Sequence, residues 1–119
     1  MALQFAPGDD LIFQLESGYG LLRVVKIELG DAHAPVWHLL AYEELFPDVE
    51  SAEAALSGAA ELHARSVHLA ITDRALEKTP AARLGNRPVT EDELTNYRTW
   101  SDEGGGVSEL SVLLTLGLR

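Results

Sequence analysis

Three runs of strand-forming residues, LIFQL, YGLLRVVKIELG and VWHLLAYEELF, occupy most of the chain between Leu11 and Phe46, and glycine or proline punctuates the stretches between them. Runs of this kind can bury their apolar side chains only by pairing, and short turns between consecutive runs favour antiparallel pairing. Pro7 to Asp10 makes the turn before the first run, and Gly18 to Gly20 closes a hairpin into the second. Strict alternation along the second run puts Leu21, Val25, Ile27 and Leu29 on one face, and Leu22 and Val24 with Lys26 and Glu28 on the other. Arg23 interrupts the first of these faces. Near the start of a strand it is expected to lay its methylenes along apolar surface and keep its guanidinium in water. The third run is apolar on both faces, as for a strand near the middle of a sheet, and is expected to extend to Phe46.

Beyond Phe46 the pattern changes. DVESAEAALSG reads as a short helix capped by Ser51, built on Ala52 to Leu56 and ended by Gly58. RSVHLAITD predicts a fourth strand, with Val67, Leu69 and Ile71 on one face and His68, Ala70 and Thr72 on the other. RALEKTPAARLGNRP reads as a helical turn followed by a polar loop. VTEDELTNYRTW carries a capping box, Thr90 with Glu93, a staple of Val89 on Leu94, and acids at Glu91 and Asp92 that suit the positive end of a helix dipole. Leu94, Tyr97 and Trp100 form its apolar stripe, and Gly104 to Gly106 should stop it. The final VSELSVLLTLGLR is expected to hold a strand near Val107 to Leu110, with a short helix as the alternative. Strands first, with helices after and between them, predict an α+β fold: a strongly bent antiparallel sheet or small SH3-like barrel carrying one or two helices. A chain of 119 residues suits one domain that buries roughly two-thirds of its unfolded surface.

Composition narrows what such a domain can do. There is no cysteine, which excludes disulfides, thiolate metal sites and cysteine nucleophiles. The net charge is -10, and the acids concentrate early: Asp9, Asp10, Glu16, Glu28, Asp31, Glu43, Glu44, Asp48 and Glu50 stand against Arg23 and Lys26 alone in the first fifty residues. That field repels phosphate backbones and anionic membranes and attracts a basic protein partner. The opening MALQFAPGDD has no signal-peptide pattern, and no run approaches the roughly 20 apolar residues of a membrane helix, so a soluble cytoplasmic protein is expected.

The residues that could carry chemistry are few. His33 and His38 are five apart, as are His63 and His68, a spacing that places neither pair on one helix or strand face, and no metal-binding motif is present. His38 and His68 could still meet across strands, and with Tyr97 and Trp100 they define a candidate small-ligand or catalytic pocket beneath the predicted helix. The second candidate is the segment YEELFPDVE, in which Tyr42, Glu43, Glu44, Phe46, Asp48 and Glu50 join rings and carboxylates at one strand end and suit a cationic partner. GYG is a lone GxG, no GxSxG occurs, and the adjacent acids Glu43–Glu44 and Asp102–Glu103 diverge. No catalytic residue, cofactor or metal is therefore assigned, and a non-enzymatic protein-binding module is the leading expectation. Two-faced apolar strands also allow a homodimer.

The segment PGDDLIFQLESGYGLLRVVKI, with its glycine-aspartate, apolar strand, glycine-tyrosine turn and second apolar strand beginning near an arginine, resembles the opening of the immunity protein 26 family and related small bacterial barrel domains. The resemblance covers roughly the first thirty residues. It implies a small barrel and a role in neutralising a toxin made by the same cell, and it carries over no functional residue.

Overall fold

A computed structural model describes residues 4–29, 34–59 and 61–118; His33 and the start of the GDAHAP loop lie outside the described residues. The strands are β1 (Asp9–Leu15), β2 (Gly18–Leu29), β3 (Pro35–Tyr42), β4 (Ala64–Thr72) and β5 (Ala81–Asn86). The first four form a meander, and β5 returns to the far side of β1, giving the order β4-β3-β2-β1-β5 with every pair antiparallel. The sheet is not closed into a barrel, which corrects that part of the expectation while leaving the α+β class in place. Among the described residues four short α-helices rather than one or two accompany it: α1 (Val49–Ala54), α2 (Asp73–Glu77), α3 (Glu91–Asp102) and α4 (Val112–Leu116). No helix among the described residues is long and apolar enough to cross a membrane.

A bulge decides which side chains face which way. The β2–β3 register passes from Val24↔Leu39 to Lys26↔His38, so Val25 is an extra residue on β2 and the alternation reverses after it. Leu22, Val24 and Ile27 consequently share one face of the sheet with Trp37, Leu39 and Ile71, in the larger core cluster completed by Ala75 and Leu76 of α2 and Val112 of α4. Leu21 joins Ile12 and Ala52 of α1 in a smaller cluster on the opposite face. Lys26 and Glu28 are on that opposite face too, beneath α3, instead of beside Leu22 and Val24 as strict alternation predicts.

The hairpin and the capping box follow the sequence closely. Gly20 stands opposite Phe13 in the β1–β2 register, and the Phe13 ring lies across it at 2.5 Å from where a Cβ would be. Thr90 Oγ1 accepts from the Glu93 amide at 3.2 Å, while Glu93 Oε1 accepts from the Thr90 amide at 2.8 Å.

Four local expectations are corrected. β3 ends at Tyr42 and not Phe46, because the chain bends away there and Phe46 instead exchanges backbone hydrogen bonds with Tyr19. Asp48, rather than Ser51, caps α1, accepting from the Ser51 amide at 2.7 Å; a wider turn at Ala55–Ala59, with Gly58 at φ 92°, follows that helix. The supposed polar loop contains β5, whose residues are mostly exposed and therefore carry no apolar alternation to read. At the C-terminus, Ser108 forms a single bridge to Ile71, and the regular element is α4, capped by Ser111 and ended by Gly117 in the left-handed conformation.

Candidate functional site

The bulge in β2 and plain alternation along β3 and β4 bring polar residues from four elements together under α3. In the β3–β4 register His38 pairs with Ala70, and alternation puts His68, two residues from Ala70, on the same sheet face. His38 is fully buried, and its Nδ1 lies 2.9 Å from His68 Nε2. Its Nε2 lies 2.7 Å from Glu28 Oε1, and Tyr97 donates to Glu28 Oε2 at 2.8 Å. Trp100 completes the cover, its ring 4.7 Å from that of His38 and 5.6 Å from that of His68. All four residues of the proposed pocket, His38, His68, Tyr97 and Trp100, are thus in one packed cluster. Glu28 is the member the sequence did not disclose.

The hydrogen bonds assign the protons. Burial raises the Glu28 pKa, but hydrogen bonds from Tyr97 and His38 outweigh it and hold the carboxyl below its ordinary range. An ionised Glu28 only accepts, so His38 Nε2 donates to it and His38 Nδ1 is left as an acceptor for His68 Nε2–H. His68 Nδ1 is then a bare lone pair, buried and without a partner among the described residues. Burial, aided by the neighbouring His38, pushes the His68 pKa down to about 4; burial also lowers that of His38 against the opposing pull of Glu28. Both rings are neutral at pH 7. With both His38 nitrogens engaged, the pair offers one free nitrogen, and among the described residues no group of three or more acidic or histidine side chains is placed to hold a metal ion.

Gly105 is the seat of this cover. Its amide donates to the Trp100 carbonyl at 2.8 Å, the Trp100 indole donates to the Gly106 carbonyl at 3.1 Å, and a Cβ at Gly105 would fall inside the indole. Gly105→Ala is expected to displace Trp100, costing about 1–3 kcal/mol in denaturant unfolding and shifting tryptophan emission to the red. Unchanged emission would show that the turn absorbs the methyl group.

Arg23 is the largest departure from the sequence reading. It is 1% exposed and uses its whole guanidinium. Nε and Nη2 donate to the two oxygens of Glu93 at 2.6 and 3.2 Å, Nη1 donates to the Gly8 carbonyl at 2.8 Å, and Nη2 also reaches the Arg87 and Pro88 carbonyls at 3.1 and 2.8 Å. Asp10 lies 3.5 Å from Nη1 and is itself held by Arg87 through two bonds of 2.7 Å. Asp9, read as a turn residue, is also buried; it accepts from the Ala6 amide and from Asn86, both at 2.8 Å. Asn86, Arg87, Pro88 and Glu93, from β5, α3 and the loop between them, are 64 to 77 residues away along the chain from the groups they hold, which alternation within β2 could not reveal.

The acidic segment is only partly a free surface. Glu44 accepts from the His63 amide and lies 3.1 Å from the His63 ring, and Asp48 caps α1. Tyr42 and Phe46 are half-buried against the smaller core cluster, Tyr42 also accepting a hydrogen bond from Arg87 at 3.3 Å. Glu43 and Glu50 remain exposed. Beside the histidine cluster a cleft of about 510 Å³ is lined by Glu28, Pro35, Val36, Thr72, Val107 and Glu109. Comparison with protein-family models, with curated proteins and with solved structures finds no match.

Proposed function

We propose that the protein is a non-enzymatic binding module that engages a basic protein partner through its acidic exterior. One observation carries this reading: several basic side chains are engaged within the fold while six carboxylates stand exposed without a cation beside them. Arg23 and Arg87 are bound to Asp10 and Glu93, Arg65 to the Leu116 carbonyl and Lys78 to the Glu109 carbonyl. Glu43, Glu50, Glu53, Asp92, Asp102 and Glu103 are exposed with no cation, among the described residues, within ion-pair distance. Glu50 and Glu53 belong to α1 and Asp92 and Asp102 to α3, helices on the same face of the sheet. Immunity, with a toxin as the partner, is the form of this role that the N-terminal resemblance implies.

Charge of this kind accelerates encounter more than it tightens the final complex, and salt screens it. Partners captured from lysate of the producing cells at low ionic strength are expected to be basic and to be lost at high ionic strength. With the captured partner purified, Glu43→Lys combined with Glu50→Lys is expected to slow association about tenfold and leave dissociation nearly unchanged. Capture that ignores salt, or an unaltered association rate, would refute the acidic surface as the means of engagement.

A second reading, a small-ligand site, is favoured by the cleft that shares Glu28 with the histidine pair. A compound that raises the melting temperature of the wild type and fails to do so for Glu28→Gln would support it; a small-molecule screen without such a compound would count against it.

A further inference from the structure

We propose that the histidine pair is a proton-operated latch on α3: with both rings neutral it holds the half of the helix that carries Tyr97 and Trp100 on the sheet, and protonation releases that half. The inference stands apart from any binding partner. Its ground is the number of protons that the geometry admits. At 2.9 Å the two facing nitrogens have room for one proton between them, and in the neutral pair His68 Nε2 already supplies it. A proton added at His38 Nδ1 would collide with it. A proton added at His68 Nδ1 would be a buried donor with no acceptor at hand among the described residues. Both routes are relieved when the rings separate and water enters.

The charged groups around the pair do not cancel this effect. From β2, Glu28 favours a charged His38, but its two oxygens are already engaged by His38 and Tyr97, and Lys26 from the same strand opposes a further positive charge. From β4, Ser66 is hydrogen-bonded to the His68 carbonyl and does not reach its ring nitrogens. From α3, the pair meets the rings of Tyr97 and Trp100. The low His68 pKa of about 4 agrees with a closed state that excludes the proton.

α3 is built to move. None of its residues is fully buried, so its docking rests on a few polar and aromatic contacts and belongs to the least costly parts of the fold to open. Its first turn is clipped by Glu93 to Arg23, a pair whose charges persist through mildly acidic pH. Its far end runs into Gly104 to Gly106, with Gly104 at φ 72°, which lets the chain swing there. Loss of the latch therefore frees the Tyr97–Trp100 half while the Arg23 end stays attached.

An exposed histidine takes up its proton near pH 6.5, so below that value each excluded proton shifts the closed-to-open ratio about tenfold per pH unit. Amide hydrogen exchange between pH 7.5 and 5, expressed as protection against the intrinsic rate at each pH, tests this directly. Amides from Tyr97 to Glu103 are expected to lose protection by up to about tenfold per pH unit below 6.5, while those of β1, β2 and β3 hold theirs. His68→Gln, whose amide can still donate to His38 Nδ1, is expected to flatten that dependence. A second readout needs no variant: the imidazole resonances of His68 should report a proton only as α3 opens. Protection that is flat with pH, that falls equally in the strands, or that still falls selectively in His68→Gln would overturn the latch, as would protonation of His68 near pH 6.5 with α3 closed.

Discussion

Arg23→Met is expected to lower the unfolding free energy by about 3–5 kcal/mol, the usual cost of removing one partner from a buried ionic network. Methionine fills much of the volume but leaves Asp10 with Arg87 alone, Glu93 without its guanidinium, the Arg87 and Pro88 carbonyls without the Arg23 donor, and the Gly8 carbonyl with the Arg87 amide only. Arg23→Lys keeps the charge yet cannot reproduce a planar fork that serves a carboxylate and three carbonyls at once, and a loss of about 2 kcal/mol is expected. The loss should depend on pH. Burial opposes ionisation of Glu93, but the Arg23 hydrogen bond prevails and holds its pKa below the ordinary value, so the stability it contributes is present above about pH 4.5 and fades as the pH falls further. Denaturant unfolding of wild type and both variants at neutral and acidic pH checks each statement. A loss under 1 kcal/mol for Arg23→Met would show that packing around the site outweighs its ion pairs.

Acidification alone is expected to remove about 2.5 kcal/mol between pH 7 and pH 4.5 through His68. The folded-state pKa of this residue is lowered from 6.5 to about 4, so the unfolded chain binds a proton that the native state refuses. For a histidine shifted downward, full stability holds above pH 6.5 and declines as the pH falls toward the folded-state value. His38 adds to the slope in the same direction. Denaturant midpoints measured across this range should follow that curve for the wild type and a shallower one for His68→Gln. Parallel curves would mean that the histidine pair takes no part in acid sensitivity.

The two sites differ in how far they could be read from the chain. His38, His68, Tyr97 and Trp100 were legible as candidates because ring-bearing residues on two apolar strands and one helical stripe can be made to converge by pairing the strands and laying the helix across them. Glu28 was not, because an unmarked one-residue bulge at Val25 turned it from the presumed Leu22 face to the face beneath α3. Arg23 differs from its sequence reading for another reason: most of the groups that make its burial tolerable come from Arg87, Pro88 and Glu93, and a strand pattern holds no information about partners so remote. In the acidic segment, the composition was plain, but which carboxylates cap α1 or bind the His63 amide was settled by how the chain bends after Tyr42.

By itself the sequence determined the α+β class, the opening hairpin, the fourth strand, the capping box of α3 and the acidic character of the chain, since each follows from local periodicity, turn chemistry or a count of charges. The tertiary structure alone decided that the sheet stays open, that β5 closes its far edge, that the C-terminus is helical, and that Arg23 and His38 are buried. Those outcomes depend on register shifts of one residue and on partners distant in the chain, whose free energies exist only once the strands have paired.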